Sequence, residues 1–488
     1  MKPSKLLLPA LGLAFLLSTA ATTEAQSSKG DRVYTADQTS NTVSVIDPAT
    51  QTLLGVIRLG DPVPGALSPL YKGALLVHGL GFSPDRRVLA VISIGSNSVT
   101  LIDTTTNRIK GTVYVGRSPH EGFFTPNGRE LWVAVRGEDY VSVIDPAKMK
   151  ELRRIKTANG PGMVLFRPDG RYAFVPSSFT PEFDVIDTAT YRVIARLPQF
   201  SPFSPNLAVS KDGKEVWFTL KDTGKVQVVS GEPPFRILTT IDTGPITNHV
   251  ALVDNANGKF AYVTVGGLNQ IKVYRRGAEP RLIATIPTGD LPHGIWRSGD
   301  DKRVYVGLEN SDAVLAIDTI TTRVIATIPI GQTPQALVYV PGAVASGDGT
   351  ANLVPLGIAG QAGHVELLPA AGTSTGARAT ISVNSLGLID LLQIAAAGLE
   401  PGQEYALYLV DSLEKPRENR IALTKFTANP SGAAIAQAIG PLKSAVDGSS
   451  PAAENNPRQR YLIVTPSNGD RAVLQQRIQT AEDMSHRP

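Results

Sequence analysis

The stretch "RVYTADQTSNTVSVIDPATQTLLGVIRL", residues 32–59, contains three runs of alternating or β-branched residues that are separated by short polar segments. Each run has the length and composition of a short β-strand, and the polar segments suit tight turns. A fourth run, "HGLGFSPD" at residues 78–85, follows and also ends in a turn. The unit is therefore predicted to be a four-stranded antiparallel sheet.

The three-run pattern returns six more times, and a run like "HGLGFSPD" precedes each later copy. These copies occupy residues 87–115, 130–155, 171–197, 215–241, 260–286 and 303–328. Seven four-stranded units predict an all-β fold, a seven-bladed β-propeller over residues 31–342. The chain enters this region with three strands and leaves it with a lone strand, "QALVYVPG" at residues 335–342. Pairing of these two ends would complete one blade and remove an open sheet edge.

Variants of a Tyr-Val-Thr-Asn stretch recur in the second strand of the units. They read "RVYTAD" at residues 32–37, "AYVTVGG" at 261–267 and "RVYVGLEN" at 303–310, and "NTVSVIDPAT" at 41–50 follows the first. On these residues the chain resembles the YVTN-type β-propeller family over about residues 31–342. The resemblance implies the propeller fold and no particular activity, because propellers of this kind host unrelated functions.

An aspartate closes the "VID" triplet in five of the units. These residues are Asp47, Asp103, Asp145, Asp187 and Asp318. Each precedes Thr or Pro and then a turn, where an aspartate side chain can accept hydrogen bonds from nearby backbone N–H groups. We therefore expect structural turn residues here, not a carboxylate cluster.

One position near the start of the first strand lies in register across the seven units. It reads His78, His120, Gly162, Pro205, His249, His293 and Gln335, at intervals of 42 to 44 residues, and it holds four of the six histidines. Since the first strand of a blade is the innermost, these side chains are expected around the mouth of the central channel. Ring closure makes the four histidines and the glutamine one continuous arc.

Neutral imidazoles around a shared axis suit a transition metal, and they can also form hydrogen bonds to an anion or a polar ligand. We therefore predict His78, His120, His249 and His293 as contacts for a small ligand or a divalent Cu, Zn, Fe or Mn ion, and Gln335 as a ligand contact. The alternative is that the imidazoles bond only channel waters and neighbouring carbonyls. Both interpretations remain open at this point.

Two neighbouring features bear on the same arc. The insertion "DPVPGALSPLYKGA", residues 61–74, enters the connection before His78, and as a lid over the channel mouth it would bring Tyr71 to the ligand. The alternative is a tolerated surface insertion. Glu121 directly follows His120, but the alternation of side chains along a strand predicts that the two face opposite sides.

A second, smaller β domain is predicted after the propeller. Residues 343–363 are small and flexible in composition, as in a linker. Residues 364–480 contain alternating apolar runs with "EPGQ", "NPSG" and "SNGD" turns, which predict a small β-sandwich. On "LEPGQEYALYL" and "FTANPSG" this region resembles the extracytoplasmic β domain of some bacterial anti-sigma factors, which implies an interaction or spacer role.

The composition points to an exported protein. Lys2 and Lys5, the apolar run from Leu6 to Leu17 and the small residues that follow predict a signal peptide over residues 1–25 and a periplasmic or secreted location. The run is too short to span a bilayer. The absence of cysteine excludes disulfides, thiolate metal sites and covalent haem attachment. A net charge of +4 without a dense basic stripe argues against nucleic-acid binding.

Two functions remain open. The first is a binding or scaffold protein that takes a small ligand or a protein partner on the propeller face. The second is a metal-dependent enzyme similar in outline to the propeller lactonases and streptogramin lyases. Those enzymes also use carboxylates, and the turns after second strands offer Glu138, Asp139 and Glu309 on the expected face. No common hydrolase motif such as Gly-x-Ser-x-Gly or His-Glu-x-x-His occurs.

Overall fold

The computed structural model describes residues 30–477, apart from 61–74, 358–361, 374–375, 386–388, 417, 419, 443–459 and 470. The predicted signal peptide and the insertion with Tyr71 lie outside the described residues. Within them the secondary structure is almost entirely strand, and the one helix is a 3-10 turn at Gly266–Leu268. No helix in the described part of the chain has the length and apolarity to cross a membrane.

Seven four-stranded antiparallel sheets confirm the predicted propeller. In chain order their strands are β1 Arg32–Asp37, β2 Thr42–Asp47, β3 Thr52–Arg58, β4 Val77–Phe82, β5 Val88–Ser93, β6 Ser98–Asp103, β7 Ile109–Tyr114, β8 Pro119–Phe124, β9 Leu131–Val135, β10 Tyr140–Asp145, β11 Lys150–Lys156, β12 Leu165–Phe166, β13 Tyr172–Pro176, β14 Glu182–Asp187, β15 Arg192–Pro198, β16 Leu207–Val209, β17 Glu215–Leu220, β18 Lys225–Ser230, β19 Ile237–Asp242, β20 Thr247–Asn255, β21 Gly258–Val265, β22 Gln270–Arg275, β23 Arg281–Pro287, β24 Pro292–Arg297, β25 Arg303–Leu308, β26 Ala313–Asp318, β27 Arg323–Pro329 and β28 Pro334–Val340.

The two ends of the propeller complete one blade, as predicted. β28 pairs antiparallel with β1, with Val338 opposite Tyr34, and the sheet order is β28-β1-β2-β3. We call this sheet blade 1, and blades 2 to 7 follow in chain order from β4–β7 to β24–β27. Because β28 covers the inner edge of β1, the ring has no open edge at the joint.

The first two or three strands of each blade are buried, and the outer strand alternates between exposed and partly buried residues. β13 is buried throughout, for example, whereas β15 alternates. Trp132 and Trp217 are fully buried in second strands, as expected for core residues between blades. The turn role of the "VID" aspartates is confirmed, since Asp103 and Asp318 accept backbone N–H bonds from residues two and three positions later.

The small β domain is one curved sheet of eight strands. They are β29 Gly363–Pro369, β30 Arg378–Ser385, β31 Asp390–Ala397, β32 Glu404–Val410, β33 Ile421–Thr427, β34 Ala434–Gly440, β35 Tyr461–Pro466 and β36 Leu474–Gln476. Their order in the sheet is β33-β32-β35-β36-β29-β30-β31-β34, and contacts between the terminal strands β33 and β34 nearly close the sheet on itself. This domain fits the C-terminal β domain predicted from the alternating apolar runs.

The C-terminal domain packs against the propeller face that carries the mouth of the channel. Ile246 and Leu291, in connections between blades, form one apolar cluster with Ala395, Ala397 and Ala433. Polar contacts extend this interface, because the Asn310 side chain donates to the carbonyl and hydroxyl oxygens of Thr380. The residues between the domains also lie against the propeller, with Val354 bridged to Val56 of β3. The chain thus places a β domain directly over the channel.

Candidate functional site

The four aligned histidines lie together at the channel mouth. Ring centroids are 4.1 Å apart for His78 and His120, 6.3 Å for His78 and His293, and 4.7 Å for His249 and His293. All four are buried, and Gln335 is buried beside them. The structure therefore brings together side chains from four blades that the alignment placed in one column.

A backbone irregularity marks this position in the histidine-bearing blades. The pairing of inner and second strands shifts register between Val77 and Gly79 in β4 and between Pro119 and Gly122 in β8. Equivalent shifts surround His249 in β20 and His293 in β24. Such bulges re-aim side chains and often occur next to functional sites.

The bulge in β8 corrects the expectation for Glu121. Strand alternation predicted that His120 and Glu121 point apart, but His78, His120 and Glu121 each offer a ligand atom within 4.8 Å of the other two. Regular alternation fails because the extra residue of a bulge breaks the two-residue period. The neighbouring Gly79 leaves the space, since a Cβ there would lie 2.9 Å from Glu121 Oε2 and 2.2 Å from the carbonyl oxygen of His120.

His120 has a defined tautomer. Its Nδ1 lies 2.6 Å from the carbonyl oxygen of Gly162. A carbonyl only accepts, so Nδ1 carries the proton and Nε2 keeps a free lone pair. Gly162, the apparent gap in the histidine column, therefore orients a histidine, as partners of metal-binding imidazoles do.

Burial keeps the imidazoles neutral. It lowers the pKa of His78, His120 and His293 well below the usual histidine value, and that of His249 to about 3. The charges of Arg136 and Lys221 lower these values further. Burial also raises the pKa of Glu121 well above the usual carboxyl value. At neutral pH the histidines are thus lone-pair donors or N–H donors, not cations.

Of the three turn carboxylates proposed from the sequence, Glu309 lies at the site. Its Oε2 is 3.6 Å from His293 Nδ1, and its Oε1 accepts a 2.7 Å bond from Gln393 of the C-terminal domain. Glu138 pairs instead with Arg117 at 2.8 Å, and Asp139 pairs with Lys156. Both of these pairs are outside the histidine cluster.

The sequence interpretation missed a second column at the same mouth. The residue that directly follows the second strand of a blade reads Gln38, Ile94, Arg136, Ser177, Lys221, Gly266 and Glu309. Five of these seven residues line the cavity next to the histidines, and two of the five, Arg136 and Lys221, are cations. These residues share one register position at the ends of the second strands, just as the histidines share one position in the first strands.

A cavity of about 450 Å³ joins the two columns, and we call it the chamber. The propeller contributes His78, His120, His293, Gln335, Gln38, Ile94, Arg136, Lys221, Asp222, Glu309, Phe203, Pro205 and Ile246, and the C-terminal domain contributes Gln393, Asn429, Ala434, Ile435 and Gln437. Its volume is in the range of small-molecule sites. The C-terminal domain therefore forms one wall of the site.

Aromatic side chains fill the channel along the same inner strands. Trp296 of blade 7 stacks on Phe123 of blade 3, with ring centroids 5.9 Å apart and planes 7° apart, and meets the edge of Phe82 of blade 2 at 6.4 Å. These contacts cross the channel, since blade 1 separates blade 7 from blade 2. Trp296 also lines a cavity of about 420 Å³ with inner strands of blades 4 to 6. It thus has a channel role, unlike the buried Trp132 and Trp217.

Residues 115–343 match the model of the YNCE-like β-propeller family. With the seven blades, this match supports the predicted β-propeller repeat family. The chain is a β-propeller repeat protein. No curated protein matches its sequence significantly.

Three solved structures are similar to part of this chain. Hydrazine synthase of Kuenenia stuttgartiensis is 21% identical, with 55% of this chain and 90% of that chain covered and a TM-score of 0.49. A functionally unknown protein of Desulfotomaculum acetoxidans is 11% identical, with 63% and 98% covered and a TM-score of 0.55. The periplasmic gluconolactonase of Pseudomonas aeruginosa is 22% identical, with 64% and 99% covered and a TM-score of 0.50. At these identities the likeness concerns the fold alone.

Proposed function

We propose that the protein is an exported binding protein that holds a first-row transition metal ion at the channel mouth, with His78, His120 and Glu121 as ligands. One observation carries the proposal: these three buried side chains offer ligand atoms within 4.8 Å of one another. In addition, His78 Nδ1 and Glu121 Oε1 are buried and have no hydrogen-bond partner in the described part of the chain. Unpartnered buried polar atoms are rare, and an ion between them would satisfy both.

The donor set suits such an ion. Two imidazoles and a carboxylate bind Zn, Fe, Cu or Mn, and leave coordination positions for water or a ligand. Bonds of about 2.0–2.2 Å keep ligand atoms within about 4.4 Å of each other, so only small side-chain adjustments are needed. His120 is already oriented through its Nδ1–H bond to Gly162.

Metal analysis of the purified protein tests the proposal. We expect close to one equivalent of Zn, Cu, Fe or Mn per chain, and a loss of most of it in His120→Ala and Glu121→Gln. His364→Ala is the matched control, because His364 lies in the C-terminal domain near Asp312 and should leave the metal content unchanged. Absence of metal after incubation with each ion, with no change in melting temperature, would refute the proposal.

A metal-dependent enzyme is the second candidate, and Glu121 favours it. The histidine column by itself lacks the carboxylate on which propeller lactonases and lyases rely, and the bulge in β8 supplies one. The chamber would hold the substrate beside the ion, which would act as a Lewis acid. Turnover of a lactone panel by metal-loaded protein, lost in Glu121→Gln, is the expected result. No turnover of any lactone would leave binding as the function.

Export is part of the proposal and rests on the basic and apolar pattern of residues 1–25. We expect the protein in the periplasm or the medium, with a new N-terminus near Ala21 or Ala25. Fractionation followed by N-terminal sequencing checks this. An intact N-terminus in the cytoplasmic fraction would contradict it.

A further inference from the structure

We propose that the chamber binds a small anion, a molecule with a carboxylate or another oxyanion group, between Arg136 and Lys221 and under the C-terminal domain. This inference rests on the proposed function, because it assigns a ligand to the same channel mouth. The anion site requires the chamber and its two cations. Its test measures anion binding separately from metal binding.

Arg136 is a cation that has no counterion among the described residues. Within the described residues, its side chain has no hydrogen-bond partner and no carboxylate within 4.0 Å. Its guanidinium instead lies over the rings of Phe203 and Phe179, 5.1 Å and 5.8 Å from their centroids. The two rings pack against the flat face of the guanidinium group. The N–H donors at the edge of the guanidinium remain available for a planar oxyanion. Loss of solvation lowers the pKa of Arg136 to about 10, which still leaves it charged at neutral pH.

Lys221 is a second cation of the chamber. Burial lowers its pKa, and the negative charge of Glu309 raises that pKa by less. Lys221 follows β17 of blade 5 at the same structural position that Arg136 occupies after β9 of blade 3. In the described part of the chain, its ammonium group has no hydrogen bond and no carboxylate within 4.0 Å. Partly buried charges without partners are costly. An anion that reaches both side chains would remove this cost for both cations.

Neutral donors complete the environment that an oxyanion needs. Among the described residues, His293 Nδ1 and His249 Nε2 are buried without hydrogen-bond partners. His293 and Gln335 line the chamber, and the His249 ring lies 4.7 Å from that of His293. Neutral imidazoles can donate to an anion without adding charge. The four histidines at the channel mouth can therefore bind a metal ion through a lone pair or donate a hydrogen bond to an anion.

The C-terminal domain forms one wall of the chamber and contributes polar side chains to it. Gln437 donates to Gln393 at 2.9 Å, and Gln393 donates to Glu309 of blade 7 at 2.7 Å. This chain of amides joins the two domains at the ligand site. A chamber of about 450 Å³ has the size of a small-molecule site.

Calorimetry with gluconate, citrate, inorganic phosphate and uncharged glucose tests the proposal, with metal-free and with metal-loaded protein. We expect at least one anion to bind and glucose to bind far more weakly. Gluconate or citrate without phosphate identifies a carboxylate ligand, and phosphate alone identifies a phosphoryl ligand. Equal affinity for glucose and every anion, or binding of none of them, would overturn the proposal.

Variants locate the binding. Arg136→Gln and Lys221→Gln should each lower the affinity for the anion by about 30-fold or more. Each variant removes the positively charged partner of a desolvated charge pair. Arg136→Lys keeps the charge and should retain part of the affinity, which separates loss of charge from misfolding. Arg117→Gln is the control, since this exposed arginine lies outside the chamber. Full affinity in both Arg136→Gln and Lys221→Gln would overturn the proposal.

Metal content of the same variants distinguishes the two proposals. Arg136→Gln should bind metal as the wild type does. Anion binding that depends on Arg136 and Lys221, in a protein that takes up none of the four metal ions on incubation, would uphold this inference and refute the metal site. Stoichiometric metal with no anion bound would do the reverse.

Discussion

Asp37 provides a quantitative test of the ring closure. The carboxylate is fully buried in blade 1 and accepts bonds from the hydroxyls of Thr35 at 2.6 Å, Thr42 at 2.9 Å and Ser44 at 2.6 Å. Ser44 in turn accepts the N–H of Gly331, so this network ties β2 to the end of the propeller. Burial outweighs the hydroxyl donors and raises the pKa of Asp37 to about 7.

The perturbation is Asp37→Asn, which removes the titration and keeps the shape. In the unfolded chain an aspartate titrates near pH 3.9, about three pH units below the folded value. Between pH 4 and 7 the folded protein therefore holds a proton that the unfolded chain has released. The resulting contribution to stability is greatest below pH 4 and falls as the pH rises through 7, by up to about 4 kcal/mol.

The assay is urea denaturation of the wild type and of Asp37→Asn at several pH values from 4 to 8. The difference in unfolding free energy between the two removes the contributions of other groups. Asp312 is the exception, because its own pKa of about 7 is raised partly by the charge of Asp37. We expect the wild type to lose roughly 2–4 kcal/mol relative to the variant across this range. A constant difference, or one that grows in favour of the wild type, would refute the reasoning.

Three further predictions concern closure, space and charge. A chain that ends after residue 333 lacks β28, whereas a chain that ends after residue 357 keeps it. We expect the shorter chain to have a much lower melting temperature by circular dichroism. Equal melting temperatures would show that the closure contributes nothing to stability. Gly79→Ala would place a Cβ 2.2 Å from the carbonyl oxygen of His120. We therefore expect the free energy of unfolding, measured by urea denaturation, to fall by about 1–3 kcal/mol, and the bound metal to be lost. An unchanged denaturation midpoint would contradict this expectation. Arg196→Met leaves the buried Asp184 carboxylate without its 2.7 Å partner and should cost roughly 2–4 kcal/mol, whereas Arg154→Met removes an exposed pair and should cost less than about 1 kcal/mol; equal costs would contradict the argument.

Much of the fold could be predicted because its signals are local or periodic. The number of blades follows from counting one repeated pattern, and the lone strand at residues 335–342 indicates the closure. The turn role of the aspartates follows from short-range chemistry. The histidine column follows from register, since equivalent residues of a symmetric ring must lie around one axis.

Part of the site could not be predicted in the same way. Glu121 joins His78 and His120 because of a bulge in β8, and nothing in the run "PHEGFF" distinguishes a bulge from a regular strand. Arg136 and Lys221 were accessible to the same alignment that found the histidines, but single charged residues in turns carry no signal of their own. Their importance depends on their place in the chamber and on the fact that no carboxylate of the described residues lies within 4.0 Å of either cation, which are properties of the packed structure.

The propeller, its closure and the common register of four histidines could be predicted from the repeat alone, because it imposes the same geometry seven times. The packed structure shows that three of these histidines line a chamber with Arg136 and Lys221, that Glu121 lies beside two of the histidines, and that the C-terminal domain forms one wall of the chamber. Docking of that domain depends on contacts such as Gln393 with Glu309, between residues far apart in the chain. Such contacts depend on the shapes of two finished surfaces, and no local pattern or period in the sequence encodes them.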